Sequence, residues 1–156
     1  MTTLALTVAV AVLSLATDDT PKGELDKYQG TWVLVSEEFA GKKTPAEELD
    51  DDLKNVCYTV QGDKVHLASN GKPRSATVKM DPTKTPRTYD LLRDDGHRSL
   101  KGIYTWEGDK LKVCASDDNG DRPTEFKTEP GSKNRIRVWK RQPSGTDART
   151  SPVGSR

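Results

Sequence analysis

Apolar side chains are scarce in this 156-residue chain. Hydrophobic residues make up 32% and aromatic residues 6%, against 31% charged. That length suits one domain, and so thin an apolar inventory implies a small or partly wet core. A surplus of one charge is also missing: 25 Lys and Arg face 24 Asp and Glu. The balance argues against nucleic acid or an anionic membrane as partner. There are two histidines and two cysteines. His66 lies between strand apolars and His97 in a glycine turn, so both read as surface residues. No histidine or cysteine pair has metal-ligand spacing. "DDNGD" at 117–121 imitates a calcium loop, but Gly120 comes two positions early and Thr128 stands where the closing Glu is needed. Nucleophile elbows, phosphate loops and dinucleotide fingerprints are absent as well. The chain is therefore not expected to be an enzyme or to hold a metal or cofactor.

The one long apolar run extends from Leu4 to Leu15. It is too short for a membrane-spanning helix, which needs ~20 apolar residues. Ser14-Leu15-Ala16 places small residues where export-signal cleavage reads them. The reading is a signal peptide over 1–16, a linker over 17–23, a folded domain over 24–141 and a disordered polar tail over 142–156. An exported chain with no stable membrane span follows, destined for periplasm, envelope or exterior.

Within the domain, "PKGELDKYQ" makes one or two helical turns with Leu25 and Tyr28 on one side, stopped at Gly30. "TWVLVSEEF" then reads as a strand. Thr44-Pro45-Ala46-Glu47 forms a capping box with proline at the first helical position, which predicts a helix over 45–54. Leu49 and Leu53 share its apolar face. Short alternating segments follow, separated by turns such as Asn70-Gly71 and the two Gly-Asp-Lys turns at Gly62 and Gly108. Seven or eight consecutive antiparallel strands close most simply into an up-and-down barrel, which removes the sheet edges. The fold class is all-β: one barrel of about eight strands with a short helix between strands 1 and 2.

Alternation also assigns faces. It puts Leu34, Tyr58, Leu67, Val78, Tyr104, Trp106 and Leu111 on apolar faces that form the core or the wall of a ligand cavity. In the last strand Ile136 and Val138 read as the core face, opposite Arg135, Arg137 and Trp139. Cys57 and Cys114 are a pair in an oxidising compartment, which favours a disulfide. Both fall on polar faces of strands that are not neighbours, which favours two free thiols.

"YQGTWVLV", "DPTKTPRTYDL", "GIYTWEGDKLKVC" and "RPTEF" occur in this order. Together they resemble an uncharacterised lipocalin-like domain family abundant in planctomycete bacteria, over about residues 24 to 141. The family has no assigned activity, so the resemblance implies a fold more than a function. Gly30-Thr31-Trp32 also resembles the lipocalin G-x-W motif. That likeness implies that Trp32 closes the barrel floor under a basic residue of the final strand. Arg137 is the candidate, with Arg135 and Arg141 as alternatives. The helix at 45–54 stands where related barrels carry a lid, with Leu49 and Leu53 on it.

Two functions fit. One is a monomeric carrier of a small hydrophobic or amphipathic ligand. The other is a filled barrel serving as an interaction or inhibitor module for an envelope protein.

Overall fold

Short alternating segments bounded by tight turns can bury one face only by pairing into a sheet. In the computed structural model they do so as nine strands. These are β1 (Gly30–Phe39), β2 (Lys42–Pro45), β3 (Cys57–Gln61), β4 (Lys64–Ser69), β5 (Lys72–Asp81), β6 (Thr88–Arg93), β7 (Ser99–Glu107), β8 (Lys110–Ser116) and β9 (Asn134–Arg141). The structure describes residues 20–54, 56–69, 72–94, 99–116 and 120–143. The expected signal peptide, the Asn70-Gly71 turn, His97 and most of the polar tail lie outside the described residues. No helix among the described residues is long and apolar enough to cross a membrane.

All pairings are antiparallel and follow chain order from β3 to β9; β9 then pairs back onto β1. Eight strands thus close a lipocalin-like up-and-down barrel, with β2 as an extra strand on β1. β1 changes partner along its length: Gly30 to Val33 lie beside β3, and Ser36 to Phe39 beside β2. Against β9 its register shifts between Leu34 and Ser36, leaving Val35 without a counterpart. Such a bulge turns the residues beyond it to the opposite face.

One end of the barrel is capped by α1 (Pro21–Lys27). Thr20 Oγ1 accepts from the Gly23 amide at 3.1 Å, and proline occupies the first turn. Seven residues cannot hold a helix alone. Tyr28 fastens it to the barrel, with ring centroids 5.4 Å from Trp32 and 6.2 Å from Tyr89. Gly30, at φ +102°, lets the chain leave this helix and enter β1.

The predicted helix over 45–54 is not continuous. Thr44 pairs with Glu37 in β2, so it does not act as the cap. Ala46–Glu48 form a 3-10 turn without a side-chain cap, Leu49 is extended, and only Asp51–Lys54 are α-helical, as α2. Pairing of Thr44 and Pro45 with β1 holds the start of the segment extended, which defeats the local capping signal.

Trp32, Val60, Val65, Val78, Tyr104 and Leu111 are the centre of the interior core. A second, outer cluster joins Ile103, Cys114 and Ile136, with Phe126 packed against it. Phe126 lies in the 120–133 segment, which is strapped to the barrel. Arg122 donates to the Gly102 carbonyl at 2.6 Å and to Asp90 at 3.1 Å, while Thr128 donates to Glu38 at 2.7 Å. At Gly102 a Cβ would lie 2.7 Å from the Cys114 carbonyl oxygen, so β7 and β8 approach too closely there for any side chain. This outer layer corrects the face reading of β9. Ile136 and Val138 are buried on the outside, and Arg135, Arg137 and Trp139 face the lumen, in rows with Ala115, Val113 and Leu111.

Candidate functional site

The closed end is built around a carboxylate. Glu24 of α1 has no solvent exposure. Its Oε2 accepts from the Tyr104 hydroxyl at 2.9 Å and the Trp106 indole nitrogen at 2.7 Å. Its Oε1 meets Lys27 Nζ at 2.9 Å and Arg87 at 3.5 Å. Burial pushes the Glu24 pKa up, but the hydrogen bonds from Trp106, Lys27 and Tyr104 together outweigh it and hold the group below its ordinary value. This is a satisfied anchor, not a reactive acid. Sequence reasoning missed it; the available signal was an acidic residue between Gly23 and Leu25 on a helix too short to present a solvated face throughout.

Trp32 lies beside this anchor, 1% exposed, and its indole nitrogen donates to the Tyr28 carbonyl at 2.9 Å. The guanidinium over its ring is Arg141, at 5.0 Å from the centroid, and Arg141 also donates to the Lys27 carbonyl. Arg137 is not the partner, because the register sets Arg141 opposite Trp32 and places Arg137 four residues away along β9, opposite Glu37. Tyr104 and Trp106, placed on the cavity wall by alternation, are bound into this floor, and Leu111 is buried in the same layer. A shallow groove of about 950 Å³ runs outside the floor between Lys27, Arg87, Trp106 and Arg141. Its cations Lys27, Arg87 and Arg141 are already engaged by Glu24 or by the floor, and Lys140 lies 3.9 Å from Asp109.

The other end holds a cavity of about 270 Å³, lined by Tyr58, Val65, Leu67, Arg74, Ser75, Ala76, Leu91, Arg93, Ser99, Leu100 and Arg137. Cross-strand register explains why arginines line it. Arg74 is opposite Leu67, Arg93 opposite Ala76 and Arg137 opposite Val113, each sharing a face with a lumen residue. Behind Arg137 stands Glu37, 7% exposed at its side chain. It accepts from Arg137 Nε at 2.7 Å and from Arg135 at 2.9 Å. Tyr58 packs against Trp139 with ring centroids 4.5 Å apart and planes tilted by 54°, and burial raises its phenol pKa, so it is a neutral hydroxyl.

Of the residues expected to hold ligand, Tyr58 and Leu67 line this cavity. Leu34 and Val78 are buried in the core, and Leu49 and Leu53 pack against its edge without reaching the cavity. Arg74, Leu91, Arg93 and Leu100 were not anticipated. The signal for Arg74 was available, since a two-residue turn at Asn70-Gly71 sets Leu67 opposite Arg74.

Among the described residues no group of His, Cys, Asp and Glu could hold a metal ion. Both cysteines are free: Cys57 is half-buried, and Cys114 is sealed in the outer cluster. Burial raises the Cys114 thiol pKa. A thiol reagent is expected to label Cys57 in the native protein and Cys114 only after unfolding. Mass spectrometry of the labelled chain would show this; equal native rates at the two thiols would contradict the sealed outer layer. No family model matches the chain, and no curated protein or solved structure matches it.

Proposed function

We propose that this is an exported barrel that binds a small amphipathic molecule in its open-end cavity, by binding alone and without catalysis. The carrying observation is a cavity of about 270 Å³ whose wall combines Tyr58, Leu67, Leu91 and Leu100 with arginines, above a filled core. Pockets for drug-sized ligands run ~300–1,000 Å³, so the cargo is smaller than these. The apolar run before Ala16 supports export, and the intact mass of the chain recovered outside the producing cell would read its cleavage.

The test is a titration of the full chain with the uncharged dye N-phenyl-1-naphthylamine. Saturable one-site binding is expected, and Leu67→Trp, which fills the cavity, should abolish it. Binding that never saturates, or that ignores Leu67→Trp, would sink the carrier reading and leave the filled interaction module in its place.

A further inference from the structure

Among the described residues the cavity wall carries guanidiniums and no acid. Arg74, Arg93 and Arg137 line it from β5, β6 and β9, and none of the described lining residues is Asp or Glu. Glu37, the carboxylate that reaches Arg137, is committed: it takes Arg137 at Nε and Arg135 through its other oxygen. The terminal nitrogens of Arg137 carry no hydrogen bond to a described residue, and Arg74 has no ion-pair partner among the described residues. Tyr58 likewise makes no hydrogen bond to a described residue, and burial keeps its hydroxyl protonated. The open edge of Arg137, the Arg74 guanidinium and a neutral hydroxyl therefore border a space lined also by Leu67, Leu91 and Leu100.

Like charges gathered around a partly desolvated space repel one another, and an anion between them relieves that repulsion. A guanidinium fork fits a planar carboxylate through two parallel hydrogen bonds, which an ammonium cannot reproduce. Glu37 already offsets part of the positive potential, which favours a head of single charge. The body must be short, because Val78, Leu34 and Trp139 fill the barrel beyond.

Building on the binding reading above, we propose that the ligand is a short-chain monoanionic amphiphile. Its carboxylate sits on Arg137 and Arg74 with the Tyr58 hydroxyl, and its hydrocarbon lies against Leu67, Leu91 and Leu100. Glu37 is a positioning residue, holding Arg137 by one edge so that the other faces the ligand.

Calorimetric titration of the full chain with octanoate and with octanol tests this. Octanoate should bind at one site, at least about tenfold more tightly than octanol, the worth of one charge-assisted hydrogen bond. Its affinity should weaken as salt rises. Arg137→Gln should lower octanoate affinity by at least about tenfold and leave octanol unchanged. Arg74→Gln, at an exposed position with no described ion pair, should act in the same direction and keeps the test open if Arg137→Gln does not fold. Equal affinity for octanol and octanoate, or octanoate binding indifferent to Arg74→Gln, would overturn the anionic head group while leaving the cavity reading intact. Failure of both probes and of the uncharged dye would overturn the two together.

Discussion

Glu24→Ala is expected to lower folding stability by about 3 kcal/mol, read from urea unfolding. The carboxylate that disappears serves two inward donors, the Tyr104 hydroxyl and the Trp106 indole. Leaving a buried donor without a partner costs about 1–3 kcal/mol. Lys27 and Arg87 add little, because their side chains are 37% and 34% exposed and can rehydrate. The same residue predicts a pH dependence. Burial raises the Glu24 pKa, and the surrounding hydrogen bonds reverse that and bring it below its ordinary 4.5. A carboxyl depressed in the folded state contributes stability above its unfolded pKa, and that contribution is lost as pH falls through the folded value. The urea midpoint of the parent should therefore fall below pH 4.5, and Glu24→Gln should flatten that decline. An acid limb of unchanged slope in Glu24→Gln would show that this carboxylate does not anchor the helix.

Trp32→Ala is expected to cost about 3–5 kcal/mol, as large aromatic truncations in a packed core do. Trp32 lies against Tyr28 and Trp106, with centroids at 5.4 Å and 5.9 Å, and is 1% exposed. Its loss also frees the Tyr28 carbonyl and strips the ring from beneath Arg141. A double-mutant cycle with Arg141→Ala should return a coupling of about 0.5–2 kcal/mol, whereas the same cycle with Arg137→Ala should return none. A total cost under about 1 kcal/mol for Trp32→Ala would mean that the floor is not closed as described.

The barrel was legible because its signals are local and repeated. Alternation in β3 to β8 and the turns at Gly62 and Gly108 each specify antiparallel pairing without knowledge of the rest. The site was less legible, for three physical reasons. Face assignment treats charge as exterior, yet Arg135 and Arg137 share the lumen face with Trp139 because the 120–133 segment buries the other side under Phe126. Register after a bulge cannot be counted along a strand: a regular β1 would set Ser36 opposite Arg137, and the shift at Val35 sets Glu37 there. Thr44-Pro45 carries a valid local helix start, but a sheet contact made with Ser36 and Glu37 overrides it. In each case a tertiary contact, not the local pattern, decides, and for the bulge the partner strand lies at the far end of the domain.

α1 crosses the closed end, and Pro143 borders the groove beside Lys27 and Arg141. The Gln142 amide donates to the Thr31 carbonyl at 2.8 Å, fixing the exit of β9 next to the entry of β1. Both routes out of the barrel therefore leave from the side opposite the cavity. A surface or partner joined at Thr20 or at Pro143 would therefore hold the molecule by its floor, with the mouth turned away from the junction.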